Sequence, residues 1–370
     1  MEINAVGISG AERGAAALAV MAAVSGLQVR VYDMFKESLK RTSAKVQWRL
    51  EQMGRGELVS NVEFVQDYGK LGGADIIIET PARSSEERVQ NLMKICEVVD
   101  KSVIVALCAG LERLEVVARD LPEPSRLMGF SFAQPVSRNP LAELVRLDLT
   151  SDEALSCATE FLRKLGKTPV IVRDMPGLIV ERLRCPYHLA ALRLLEVGKG
   201  LPAQIDRALK QAGGFVTGPF ECMDNLGLDV DYEASKYLYE ALGNPERLKP
   251  SASENRLVQY GQLGKKSGVG FYLYEEGEIC GHNPDLSGVA PYLGIAPVSD
   301  ELIVGAVAQA VIAEAHAAAA EGLLSEYDVD TAARLGLGWP KGPFAMEREM
   351  TEVLDNVRKE SKRDLWGDAV

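Results

Sequence analysis

The sequence predicts an open, doubly wound α/β sheet in its first half and a duplicated all-helical region in its second. Three observations carry this reading. The chain opens as strand, turn, helix, strand; short apolar runs then alternate with helical stretches to about residue 172; and six residues recur later at one fixed spacing.

The elements follow in order. Ile3 to Ile8 is a short apolar run, Ser9 to Gly14 is a glycine-bearing turn, and Ala15 to Val24 is alanine-rich and helix-favouring. Leu27 to Tyr32 is a second strand ending at Asp33. This βαβ unit begins a parallel sheet of the dinucleotide-binding, Rossmann-like kind. A charged helix over Lys36 to Met53 comes next, followed by strand candidates at Val62 to Val65, Ile76 to Ile78, Val103 to Leu107, Met128 to Phe132 and Val170 to Val172. Helices over Glu86 to Val99 and Asp152 to Leu165 separate some of them. After Met175-Pro176-Gly177 strand signals stop, and helix-period segments such as Leu178 to Val197 and Pro202 to Gln211 take over.

Gly198, Asp206, Gly214, Gly218, Pro219 and Phe220 return 124 residues later as Gly322, Asp330, Gly338, Gly342, Pro343 and Phe344. Two copies of one small helical domain are expected. The domain boundaries read as 1–174 for the α/β domain, 175–275 for the first helical copy, 276–297 for a Gly- and Pro-bearing linker, and 298–370 for a shorter second copy. The alanine-rich run Ala306 to Ala320 is expected to form a tightly packed helix that can meet the sister copy.

Composition excludes several roles. With 41 basic and 53 acidic residues the net charge is −12, so neither nucleic acid nor an anionic membrane is an expected partner. No apolar run is read as reaching the ~20 residues that span a bilayer, and the N-terminus carries no export signature. Six scattered cysteines without a C-x-x-C pair read as reduced thiols of a cytoplasmic protein. The three histidines, His188, His282 and His316, lack metal-ligand spacing, and no metal site is expected. His282 is placed in a loop.

Four stretches carry a family resemblance: Asp174-Met175-Pro176-Gly177-Leu178-Ile179-Val180, Gly213 to Phe220, Leu263 to Tyr272, and the order of elements as a whole. Together they resemble the 3-hydroxyacyl-CoA dehydrogenase family over nearly the whole chain, in the form with a doubled C-terminal helical domain. The resemblance implies NAD as cofactor, an acyl-CoA substrate of β-oxidation type, and oxidoreductase chemistry. In that chemistry a histidine takes the hydroxyl proton, a glutamate orients it, and a serine and an asparagine hold the substrate oxygen.

This chain departs from that pattern. The family's His-Phe-Phe-Asn-Pro corresponds to Ser131-Phe132-Ala133-Gln134-Pro135, so Ser131 takes the histidine's place. The glutamate is kept as Glu143, while Gly110 stands at the serine position and Glu181 at the asparagine position. A serine hydroxyl without a base partner is no general base at neutral pH. Glu143 alone serves as a base only if burial raises its pKa.

The cofactor fingerprint falls on Gly10 to Ala15, with Glu12 at the middle glycine and Ala15 at the third. A carboxylate about 4 Å from a phosphate costs about 4 kcal/mol at an effective dielectric of about 20. Asp33 reads either as the ribose-binding acid or as a strand-end turn residue. Glu12 and Arg83 read either as a pair closing the nucleotide cleft or as solvated loop charges. Arg41, Lys45 and Arg49, with Lys40 beside them, form a basic stripe on one helix that would meet coenzyme A phosphates or be a solvated face.

Three readings result. The first is a catalytically degenerate, acyl-CoA-binding subunit acting with an active homologous subunit. The second is an active NAD-dependent oxidoreductase in which Glu143, Glu181 or a substrate group replaces the histidine. The third is a regulatory binder that uses the fold alone. Simultaneous loss of histidine, serine, asparagine and the cofactor glycine favours the first, a pseudoenzyme within a heteromer.

Overall fold

The computed structural model describes residues 2–11, 14–80, 85–290, 298–322 and 324–361. The chain divides into two compact units, Met1–Met175 and Pro176–Val370.

In the first unit, the strands are β1 (Ala5–Ser9), β2 (Gln28–Tyr32), β3 (Val62–Val65), β4 (Ile76–Glu79), β5 (Ile104–Cys108), β6 (Leu127–Phe132), β7 (Leu141–Arg146) and β8 (Thr168–Arg173). They form one sheet in the order β3-β2-β1-β4-β5-β6-β7-β8. The helices between them are α1 (Ala15–Val24), α2 (Lys36–Gln52), α3 (Ser85–Val98), the single turn α4 (Glu115–Ala118) and α5 (Asp152–Lys164). The chain runs outward from β1 to β3 and returns to the other side of β1 with β4. That reversal opens a crevice at the carboxyl ends of β1 and β4, where doubly wound sheets bind ligands. β4 reads Ile-Ile-Ile-Glu and is buried throughout, as a central parallel strand must be. The alanines of α1 are nearly all buried, and their small side chains let the helix lie close to the sheet.

One strand was not expected. β7 runs antiparallel to β6, with Ser131 opposite Glu143, and β8 is parallel to β7. The sheet is therefore mixed. The signal is hidden because Glu143 interrupts the apolar run Leu141, Ala142, Leu144, Val145, although its side chain is as buried as theirs.

The second unit contains α6 (Leu178–Glu196), α7 (Pro202–Gln211), α8 (Pro219–Leu226), α9 (Leu228–Ala241) and α10 (Ala252–Gln259), then a hairpin of β9 (Tyr272–Glu275) and β10 (Glu278–His282). The short α11 (Leu286–Val289), α12 (Asp300–Gly322), α13 (Glu326–Gly336), α14 (Pro343–Glu349) and α15 (Thr351–Ser361) complete it. The hairpin corrects the expectation that strands cease after residue 175. Its turn residues Glu276 and Gly277 both have positive φ, 50° and 84°, the geometry that closes a two-residue hairpin. His282 accordingly lies in a strand, its ring tilted against Tyr272.

A second correction concerns α12. Its 23 residues are long and apolar enough to cross a membrane by length and composition. It instead packs along α6, with Ile303, Ala306, Val307 and Ala315 buried.

The recurring residues have one structural meaning. Asp206 accepts the N–H groups of Phe220 and Glu221, both at 3.0 Å. Asp330 accepts those of Phe344 and Ala345 at 2.9 and 3.1 Å. Each aspartate thus caps the free N–H groups that open a Gly-Pro-Phe helix. The glycine is required because a Cβ on Gly218 or Gly342 would come within 2.3 or 2.2 Å of the capping side chain.

Burial pushes the Asp206 carboxyl up to about 7 despite its hydrogen bonds. Because that value is raised, the stability linked to its proton is present below about pH 4 and is lost as the pH rises toward 7. Asp206→Asn is expected to unfold about 1–3 kcal/mol more easily at neutral pH, having one acceptor oxygen fewer. Its stability should also change less between pH 4 and 7 than the parent's, which urea denaturation at both pH values checks.

Candidate active site and cofactor site

The glycine-bearing turn leaves β1 at Gly10, whose φ is +103°. A Cβ there would lie 2.1 Å from Thr80 Oγ1, so the backbone passes this point only as glycine. Gly14, at φ +94°, precedes α1, and Ala15 is its first, fully buried residue. Thr80 donates to Ser9 O at 3.0 Å, and Thr42 donates to Ala11 O, pinning the turn from two sides. Glu12 and Arg83 lie outside the described residues.

Asp33 takes the turn-forming role open to it in the sequence. Its carboxylate accepts Ala11 N–H and Phe35 N–H, each at 2.8 Å, so it ties the turn to the end of β2. It also borders a cavity of about 290 Å³ together with Gly10, Met34, Phe35, Tyr68 and Glu79. Met34 and Phe35 are exposed there and provide an apolar wall of the kind on which a flat base rests. The turn, the acid and this wall fit the adenosine end of a dinucleotide.

Glu79 was not anticipated. At the end of β4 it receives Arg88 at 2.7 and 3.0 Å, and the same guanidinium donates to Cys108 O at 2.6 Å. Burial pushes the Glu79 carboxyl up to about 7, with Arg88 opposing that rise. Its signal in the sequence is a lone acid ending an isoleucine run, with an arginine nine residues on.

Ser131 and Glu143 face each other across β6 and β7, and the serine hydroxyl donates to Glu143 Oε2 at 2.9 Å. The expectation of an unpartnered hydroxyl is therefore corrected: the carboxylate that should orient a base binds the serine. Gly110 follows β5, and a Cβ added to it would meet nothing within 4 Å. No crowding and no positive φ demands glycine there.

Of the basic stripe, Arg41, Lys45 and Arg49 line a cavity of about 480 Å³ with Gly14 and Gln134. Lys40 is exposed and is not among its lining residues.

In the second unit Glu181 stands on the first turn of α6 and is held by Arg184 at 2.5 Å. Burial raises its pKa, with Arg184 lowering it and Asp231 raising it. Next on the same face is His188, whose Nδ1 lies 2.8 Å from Asp231 Oδ1. Burial would lower the imidazole pKa, but Asp231 and Cys222 carry it up to about 10. Glu254, beside Asp231, is driven well above the carboxylate range by burial first and then by that charge. Glu181 therefore belongs to a buried network of charges, which its sequence neighbours did not reveal because Asp231 lies 43 residues from His188.

These features define a sheet of the dinucleotide-binding kind followed by an all-helical module with one small β-hairpin. Residues 5–175 match the NAD-binding domain of 3-hydroxyacyl-CoA dehydrogenase, and residues 177–274 and 303–362 match the C-terminal domain of that family. The chain belongs to the 3-hydroxyacyl-CoA dehydrogenase family. It is 26% identical to 3-hydroxyadipyl-CoA dehydrogenase of Escherichia coli over 97% of this chain and 94% of that one. It is 30% identical to the fatty acid oxidation complex subunit alpha of Psychrobacter cryohalolentis over 74% of this chain and 39% of that protein. Its fold matches the crystal structure of 3-hydroxybutyryl-CoA dehydrogenase from Escherichia coli with a TM-score of 0.86, at 24% identity, over 98% of this chain and 96% of that chain.

The two glycines should respond oppositely to substitution. Gly10→Ala is expected to cost at least about 1–2 kcal/mol from its left-handed backbone alone. Gly110→Ser should stay within about 0.5 kcal/mol of the parent. Equal losses in urea denaturation would contradict this account of the two loops.

Proposed function

We propose that this chain is a catalytically degenerate 3-hydroxyacyl-CoA dehydrogenase that binds acyl-CoA and acts beside an active homologous subunit. The observation that supports the reading best is the hydrogen bond from Ser131 to Glu143. The carboxylate keeps the place and partner-seeking geometry of an orienting group, while the side chain it holds has no proton-accepting atom active near neutral pH. Gly110 offers no hydroxyl to a substrate oxygen, and Glu181 is engaged by Arg184 instead of presenting a neutral donor.

The cofactor when bound would supply the hydride acceptor. The chain's own residues toward it would be Gly10, which admits the backbone close to the ligand, and Asp33, whose carboxylate reaches a ribose hydroxyl through its remaining lone pairs. Arg41, Lys45 and Arg49 supply the charge that a coenzyme A phosphate group requires.

With acetoacetyl-CoA and NADH, the absorbance at 340 nm is expected to remain at the uncatalysed rate. The triple variant Ser131→His, Gly110→Ser, Glu181→Asn should gain turnover, since general base catalysis contributes roughly 10²–10⁴-fold. Parent turnover above about 1 s⁻¹, an ordinary enzyme rate, would instead establish the active oxidoreductase with rebuilt chemistry. Lys45→Ala and Arg41→Ala should each weaken acyl-CoA binding by roughly threefold to tenfold, and more so at low salt. Isothermal titration at two ionic strengths measures that effect.

A further inference from the structure

The second helical copy carries an open cavity of about 570 Å³ along α13 and α14, with Glu326, Tyr327, Asp330, Arg334, Lys341 and Arg348 in its wall. The first copy shows what fills the equivalent place. There Asp206 accepts the Tyr272 hydroxyl at 2.8 Å, and Asp224 accepts the N–H groups of Phe271 and Tyr272 at 2.9 and 3.0 Å. Phe271 packs edge-on against Phe220, with ring centroids 4.7 Å apart. The start of β9 and the residues leading into it thus occupy the groove of the first copy. At the spacing of 124 residues, Asp330 corresponds to Asp206 and Arg348 to Asp224, and both line the cavity of the second. Phe344, the counterpart of Phe220, packs on His316 instead.

The charge of the place has also inverted. The first copy has three carboxylates at these positions, Asp206, Glu221 and Asp224, and Lys210 is paired with Glu221. In the second copy Arg334 keeps the cation of Lys210, but Ala345 stands where Glu221 would be. Arg334 consequently has no charged partner among the described residues. Arg348 replaces an acceptor of main-chain N–H groups with a donor, held in place by Glu326 at 2.8 Å and Asp330 at 3.6 Å. Lys341, paired with Glu349, adds a further cation where the first copy has Thr217.

We propose that this cavity is a docking site for an extended segment of another protein chain that carries a tyrosine followed closely by carboxylates. Asp330 accepts the tyrosine hydroxyl, as Asp206 does with Tyr272. Arg334 and Arg348 take the carboxylates through charge-assisted hydrogen bonds, and Tyr327 flanks the chain. The site shares no residue with the dehydrogenase positions, so it stands or falls separately from the loss of catalysis.

The probe is a fluorescein-labelled peptide of residues 268–276, Gly-Val-Gly-Phe-Tyr-Leu-Tyr-Glu-Glu, titrated with the full chain and read by anisotropy. Saturable binding is expected, weakened about tenfold by Arg334→Glu, a change on the order of one lost charge-assisted contact. Ala345→Glu, which restores to Arg334 the kind of partner Lys210 has, should weaken it likewise. Peptides with Tyr272→Phe, or with both glutamates changed to glutamine, should also bind less tightly. Both protein variants alter accessible side chains, and matching thermal melts would confirm that they are folded. No saturable binding, equal binding of a scrambled peptide, or binding unchanged in both variants would overturn the proposal. So would inorganic phosphate bound in an Arg334-dependent way while the peptide is not.

Discussion

The second unit is organised around one buried guanidinium. Arg182 on α6 is almost wholly inaccessible, and it is held by Glu314 and by Glu321 at 2.7 Å, both on α12. Arg247 reaches the other oxygen of Glu314 at 2.6 Å. Residues from both helical copies therefore meet on a single ion cluster sealed by the apolar contact of α6 with α12. Removing one partner of such a cluster leaves an uncompensated charge out of water, which is far more costly than losing a surface pair. The buried carboxylate Glu314 fixes how the copies face one another, and the aromatic contact of Tyr187 and Phe215 with Trp339 closes the same seam.

Much of the first unit was legible because parallel strands with both faces covered read as apolar runs, and the alanines of α1 mark close packing. β7 was not, since the buried Glu143, bound by the Ser131 hydroxyl, breaks its run. The β9–β10 hairpin escaped because its residues are largely exposed and its turn, Glu276-Gly277, lies in a stretch with little periodicity. α12 was underestimated for a related reason: Glu314 divides an otherwise apolar helix, yet that acid is buried against Arg182. In β7 and α12 alike, a buried polar residue with a distant partner disguised the local pattern.

The positions aligned with the family's chemistry were legible one by one, but their surroundings were not. The family resemblance marks Ser131, Gly110 and Glu181 as departures from the family pattern. It does not reveal that Ser131 is tied to Glu143, or that Glu181 belongs with Arg184, Asp231, His188 and Glu254. Asp231 is held below the ordinary carboxylate range: burial opposes this, but the adjacent imidazolium and guanidinium prevail. Apart from Glu181 with Arg184, which are three residues apart on one helix, these are pairs distant in sequence, and one-dimensional periodicity carries no trace of them. The duplicated Asp and Gly-Pro-Phe elements were visible for the opposite reason, because each is a local clasp whose parts must keep their spacing.

Gly110 has a consequence for how the chain tolerates change. Its backbone is ordinary, and the space beside it is vacant. The first carbon of a side chain could be placed there without meeting any described neighbour. The absence of a side chain is therefore not locked in by later packing, as it is at Gly10. A substitution in that loop can be made and undone without repacking the fold, in a way that one at Gly10 cannot.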